Sequence, residues 1–223
     1  MKVLVTAGST QVPIDKVRFV SNGFKGKTGR DIARYFTQQG AEVTLLTSGE
    51  TRFDANLPKL QFVYFQTFDE LATLMENYIR NGNFDVVIHS AAVSDYAVSQ
   101  VLDENLQPVS ANRKISSAHQ KLYLEMKPTI KLVDQIREPW GFGGKLVKFK
   151  LQVGISDEAL LDIAEQSRIA SKADIVVANC LEWAKERAYV LGPKTSVPFT
   201  VSVIRLDLPK FLYWRLKECP KSC

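Results

Sequence analysis

The stretch RFVSNGFKGKTGR at positions 18–30 carries the densest chemistry in the chain. Gly23, Gly26 and Gly29 recur at every third position, with Lys25 and Lys27 between them and a helical pattern following. Glycines there let main-chain N–H groups close on an anion. A helix amino terminus adds its dipole, and the two ammonium groups add charge. That combination suits phosphate binding, against the plainer alternative of a glycine-rich surface loop. A second cluster, SAAVSDY at 90–96, ends an apolar run. Ala91 and Ala92 leave room for a ligand against the backbone. Asp95 suits a ribose hydroxyl or a water-held metal, and equally suits a turn or cap. A third, RKISS at 113–117, closes a polar loop. A lysine such as Lys114, brought on a loop to an anionic site, would neutralise charge that develops on a phosphoryl or carboxylate group. Read alone, it is a solvated surface charge.

Which anion is bound follows from position. A dinucleotide site places its glycines directly after the first strand and an acid at the end of the second. Here the glycines follow an inserted PIDKVRFVSN, and LTS (46–48) precedes the first acid, Glu50. An NAD(P)-dependent Rossmann-fold reductase is therefore the second reading. Other chemistries have weaker footing. Cys180, Cys219 and Cys223 are too few for a disulfide framework, and Cys180 reads as a buried thiol. His89 and His119 lie in no nucleophile motif, and no residue is singled out as ligand of a resident metal.

These residues need a scaffold, and the pattern supplies one. Apolar runs at 2–6, 42–47, 60–65, 85–90, 146–152 and 174–178 read as strands. Residues 29–39, 69–80 and 157–171 read as helices, the first with Ile32, Ala33 and Phe36 on one face and the last with Ser156 as its cap. Residues 122–126 and 200–206 read as further strands and 209–217 as a short helix, whereas 95–114 reads as a long polar connection. Strands alternating with helices predict an α/β, Rossmann-like, doubly wound and mostly parallel sheet, in one domain spanning 1–223.

Composition narrows the class. The 223 residues are 45% hydrophobic, enough for a sizeable core, and no window approaches the roughly 18 apolar residues of a membrane helix. The amino terminus reads as a first strand and not as a signal peptide, so a cytoplasmic protein is expected. Lysine and arginine number 29 against 24 acids. They are scattered and not striped with aromatics, which argues against nucleic acid and leaves two meanings, a surface that serves solubility alone or one that gathers small anionic partners.

Six segments, TAGST, PIDKVRFVSNGFKGKTG, AAVSDY, KISS, VKFKLQ and DIVVAN, occur in the order found in the phosphopantothenate–cysteine ligase family, which the chain resembles over about residues 1–180. With no room for a flavin-binding decarboxylase half, it looks like the free-standing type. The resemblance implies joining of 4′-phosphopantothenate to cysteine through an acyl-nucleotide, with Mg²⁺ and CTP, or ATP, as co-substrate. It implies that Asn22 meets the acyl carbonyl and Lys114 the phosphoryl charge. Gly8, Ser21, Gly23, Gly26 and Gly29 would line the triphosphate pocket, with Ala92, Asp95 and Phe149 around the nucleotide and Lys172 reaching the phosphates. Arg18 would take the substrate phosphate. A homodimer built through a dimerisation extension is implied too. Departures are Phe24 and Lys25 in place of hydroxyl residues, Cys180 in place of Asp, and Ser167 in place of Lys. They motivate a third reading, a nucleotide-binding module without turnover.

Overall fold

Runs rich in Val, Ile and Leu cannot remain solvated, and here they assemble one central sheet. In the computed structural model, which describes residues 1–48, 57–193, 199–201 and 207–218, the elements follow in order. They are β1 (Lys2–Ala7), β2 (Gln11–Pro13), β3 (Phe19–Ser21), α1 (Lys27–Gln38), β4 (Glu42–Thr47), β5 (Leu60–Tyr64), α2 (Phe68–Asn81) and β6 (Val86–His89). Then come β7 (Tyr96–Leu102), β8 (Tyr123–Pro128), α3 (Leu132–Gln135), β9 (Lys145–Gln152), α4 (Asp157–Ala170), β10 (Ile175–Cys180), β11 (Ala188–Leu191), β12 (Phe199–Val201) and α5 (Asp207–Glu218).

The large sheet has the order β12-β11-β10-β9-β6-β1-β4-β5. Its β10-to-β5 portion is parallel, and β11 and β12 are antiparallel. Strand order therefore reverses between β1 and β6, the point where open α/β sheets bind ligands beyond their strand carboxyl ends. On one face Val3 and Val5 pack with Ile32, Ala33 and Phe36 of α1 and with Leu208 and Leu212 of α5. On the other, Leu4 and Leu46 meet Leu71 and Met75 of α2, and Leu160 and Ala164 of α4 meet Val176 and Ala178. Each fully buried Leu, Ile or Phe contributes roughly 1.5–3 kcal/mol of transfer free energy, so the sheet is held firmly on both sides. The expected doubly wound fold is the observed one.

Local signals set the helix ends. Thr67 and Glu70 form a reciprocal capping box on α2, Ser156 caps α4 through the Ala159 N–H, and Gly40 (φ +88°) ends α1.

Two expectations change, and two short elements are new. The connection over 95–114 contains a strand, β7, which pairs antiparallel with β8 as a separate ribbon. The expected strand near 122–126 thus belongs to that ribbon and not to the large sheet. Little of the ribbon is buried beyond Val101, so hydrophobic alternation there is weak. Residues 11–21 hold the small β2–β3 hairpin, and 188–191 form an antiparallel strand, both too short to stand out by periodicity. The strand expected at 200–206 is seen as β12, with 202–206 outside the described residues. Among the described residues, no helix is long and apolar enough to cross a membrane.

Candidate functional site

At the carboxyl end of β1 the chain turns through Gly8 (φ +92°), and α1 begins at Gly26 (φ +69°), both in the left-handed region open to glycine. A Cβ on Gly26 would stand 2.2 Å from the Gly8 nitrogen, so the two backbones touch. Gly29 is buried against Ser90, its virtual Cβ 2.4 Å from Ser90 Oγ. The glycine spacing therefore seats the amino end of α1 directly on the switch point. Gly23 differs: nothing lies within 4 Å of its virtual Cβ, and it is exposed. Among the described residues no side chain caps α1, and no acid occupies its first turn, leaving its first N–H groups and dipole available to an anion.

The β6 end joins this turn through main chain. Ala92 N–H donates to the Gly8 carbonyl (2.8 Å), and the Ala92 carbonyl accepts from Thr10 N–H (3.2 Å). Asn22 Nδ2 donates to the same Ala92 carbonyl at 3.4 Å, a long contact that a ligand carbonyl can displace. Ser21 Oγ lies 3.0 Å from Ser9 Oγ and donates to the Thr10 carbonyl (3.0 Å), fixing the hairpin that carries Asn22.

Lys114 is delivered by a clamp that sequence reasoning missed. The Asp15 side chain is fully buried and accepts from Arg18 Nε (2.9 Å), Arg18 Nη2 (2.5 Å) and the main-chain N–H groups of Val17, Arg18 and Ile115. Arg18 Nη2 also donates to the Ile115 carbonyl (3.0 Å). Arg18, and next the Ile115 N–H, hold the Asp15 carboxyl far below the usual carboxylate range. With Ile115 itself buried, the residue after Lys114 is tied to the turn leading into β3, while Lys114 stays exposed. Arg18 is thus partly committed to this clamp, its side chain 41% exposed.

Beside the switch point runs a groove of ≈ 440 Å³ between β6, β9 and α4, lined by Asp95, Phe149, Lys131, Asp134, Lys148 and Ser167 among others. Asp95 is exposed, and its carbonyl accepts from Thr129 N–H (2.9 Å). Lys148 is buried in the wall. Its Nζ donates to Ser167 Oγ (2.9 Å), the Ser167 carbonyl (3.1 Å) and Ser171 Oγ (3.1 Å). Burial pushes its pKa down to about 8, Asp134 pulling the other way while Lys150 and Lys131 add to the depression. His89, also buried, has Nδ1 2.9 Å from Thr6 Oγ1, and burial and then the Lys148 charge lower its pKa to about 4. The signal for Lys148 was present, since a lysine interrupts the apolar run KLVKFKLQ of a central strand.

Gly8, Ser21, Asn22, Gly26, Gly29 and Ala92 therefore converge, Asp95 and Phe149 share the adjoining groove, and Arg18 stands with the Lys114 loop. Lys172 does not join them. It follows α4 in a left-handed turn (φ +51°), at the edge where β10 begins, and its Nζ pairs with Glu138. A helix antiparallel to its strands carries this lysine to the amino ends of the sheet, the edge opposite the one where the glycines converge.

The family model described as the DNA/pantothenate metabolism flavoprotein C-terminal domain matches residues 1–196. A coenzyme A biosynthesis bifunctional protein CoaBC of Thermococcus kodakarensis is 36% identical over 185 residues, 81% of this chain and 41% of that protein. A protein of the same description from Bacillus subtilis is 27% identical over 179 residues, 79% of this chain and 39% of that one. The chain spans about two fifths of these relatives' length. Among solved structures, a DNA/pantothenate metabolism flavoprotein from Streptococcus pneumoniae superposes with TM-score 0.85 at 28% identity, covering 98% of this chain and 99% of that one. A Cab2 mutant in complex with phosphopantothenate-cysteine shares the fold, with TM-score 0.76 at 19% identity over 97% of this chain and 87% of that one.

Proposed function

The chain belongs to the family of the DNA/pantothenate metabolism flavoprotein C-terminal domain, and from that premise we propose that it is a phosphopantothenate–cysteine ligase. The observation that carries the reading is the meeting of Asn22, the Ala92 carbonyl and the uncapped amino end of α1 at the switch point. Relatives described as coenzyme A biosynthesis proteins, and a fold neighbour holding phosphopantothenate-cysteine, support the same reaction. They favour it over the reductase.

In the first step a carboxylate oxygen of 4′-phosphopantothenate attacks the α-phosphorus of the nucleoside triphosphate. The α–β phosphoanhydride bond breaks, pyrophosphate leaves and an acyl nucleotide remains. Lys114, on its clamped loop, neutralises charge on the transferring phosphoryl group. In the second step the cysteine amine attacks the acyl carbon, the nucleoside monophosphate departs and the amine loses a proton. Asn22 Nδ2 turns from Ala92 to the acyl oxygen as negative charge grows there. Gly8, Gly26 and the α1 terminus cradle the triphosphate, Asp95 and Phe149 hold the nucleoside, and Arg18 takes the substrate phosphate. The base is cytosine in preference to adenine, on the resemblance to the shorter members of the family.

Mg²⁺ fits the donor set, because the carboxylates of Asp95 and Asp134 line the groove and this ion is commonly held by one or two carboxylates plus substrate phosphates. Bound there it would screen the triphosphate and polarise its phosphorus. A homodimer formed through the β7–β8 ribbon, where Tyr96, Tyr123 and Met126 are exposed, completes the reading.

The test is pyrophosphate release with 4′-phosphopantothenate, Mg²⁺ and CTP or ATP, with and without cysteine. Release that requires the acid supports the ligase, and the better nucleotide identifies the base. Asn22→Ala should keep acyl-nucleotide formation and slow amide formation by roughly 10²–10³-fold, the usual effect of losing one oxyanion donor. Lys114→Gln should slow the first step instead. Folded protein that releases no pyrophosphate with either nucleotide would overturn the assignment.

A further inference from the structure

A buried lysine normally sits beside a carboxylate, because an unpaired charge costs several kcal/mol to desolvate. Lys148 does not. Only 7% of it is exposed, and its three acceptors are two serine hydroxyls and a main-chain carbonyl of α4. Its charge is therefore not cancelled by a bonded acid. Ser171 Oγ passes its own proton to the Ser167 carbonyl (2.9 Å). Among the described residues, Ser167 Oγ is bonded to Lys148 alone, so its O–H remains a donor, and Ser167 lines the groove. An ammonium group behind a hydroxyl polarises that hydroxyl towards whatever occupies the groove, and an anion is what such a wall attracts.

We propose that Lys148 and Ser167 form an anion-recognition pair on the wall of the β6–β9–α4 groove, meeting phosphate oxygens that the α1 cradle leaves uncovered, and so set the affinity for triphosphates over nucleosides. The inference rests on the ligase reading for the identity of the ligand, and on the groove alone for the class of ligand. It also accounts for a departure noted in the sequence. Where the resembled family carries a lysine on the helix, this chain has Ser167 and supplies the charge from the strand beneath it.

The groups facing Lys148 are His89 from β6, Lys150 from its own strand, Asp134 from α3, Lys131 just before α3, and Ser167 and Ser171 from α4. Burial leaves the Lys148 pKa at about 8. The free protein therefore loses most of the charge between about pH 7 and pH 9, roughly a tenfold fall in the protonated fraction. A bound anion pulls the pKa back up and takes up a proton on binding.

The experiment is calorimetric titration of the full chain with CTP, ATP, the matching nucleosides and inorganic pyrophosphate, at about pH 7 and about pH 9. Wild type, Lys148→Met and Ser167→Ala are compared, with thermal melts confirming folding. The expected result is at least tenfold weaker binding of triphosphate and pyrophosphate to Lys148→Met, with nucleoside binding unchanged. Loss of affinity towards pH 9 should appear in wild type and vanish in Lys148→Met, and Ser167→Ala should weaken triphosphate binding several-fold. If Lys148→Met binds triphosphate within twofold of a wild type that shows ligase activity, the pair is refuted and the ligase stands. If pyrophosphate binds in a Lys148-dependent way but neither nucleotide binds, the anion site stands and the ligase fails. If wild type binds no phosphate compound at all, both are overturned.

Discussion

Acidifying the protein should unfold it partly through one residue, His89. Its ring is buried, Nδ1 meets Thr6 Oγ1, and its charged neighbour on β9 is the Lys148 ammonium group, so protonation places a second positive charge in the same wall. Burial first, and Lys148 second, lower its pKa from 6.5 to about 4. A group with a depressed folded pKa binds fewer protons when folded than when unfolded. Its contribution to stability is complete above the unfolded value and is lost as pH falls from about 6.5 towards about 4. At about 1.4 kcal/mol per pH unit, the loss between about pH 7 and about pH 4.5 is about 2 kcal/mol. Urea unfolding of wild type and His89→Asn at both pH values isolates it, since Asn keeps a hydrogen-bonding group near Thr6 and cannot titrate. Losses common to both proteins, including any from carboxylates such as Asp15, cancel in the comparison. Wild type should lose about 2 kcal/mol more than the variant over this interval. Parallel losses in the two proteins would refute the reasoning and mean that water or a local opening already solvates the ring.

Two further expectations come from the geometry of the site. Gly26→Ala and Gly23→Ala alter the same turn but should differ sharply. The first forces a Cβ into φ +69° and against Gly8, costing at least roughly 1–2 kcal/mol, while the second adds a methyl group in open space and should stay within about 0.5 kcal/mol. Thermal melts of both decide it, and equal shifts would show that Gly26 is not a packing position. Asp15→Asn removes the carboxylate that holds Arg18 and the Ile115 N–H, so the loop carrying Lys114 should open. Limited trypsin digestion should then cut faster after Arg113 and Lys114 than in wild type, and an unchanged cleavage rate would show that Ile115 burial suffices.

Much of this molecule is local in origin and was therefore legible in the sequence. Apolar runs and helical periodicity each depend on neighbours a few residues away, so the parallel strands, α1, α2 and α4, and the doubly wound fold class emerge from pattern alone. Gly8, Gly26 and Gly29 were legible for the same reason, and what the structure shows them doing is close contact between segments. Asp95 and Lys114 stood out by residue type and position, the resemblance supplied Asn22, and the fold gathers Asn22 with Ala92 across a separation of 70 residues. What the sequence did not disclose is non-local. The β7–β8 ribbon has too little burial to leave a periodic trace. The Asp15 clamp joins residues 100 positions apart, and Lys172 looked suitable until the antiparallel run of α4 placed it at the other edge. Lys148 and His89 are ordinary residue types whose charge states are set by burial in the assembled wall. Sequence fixes which groups the chain possesses, whereas only tertiary packing decides which of them lose water, and so which can act.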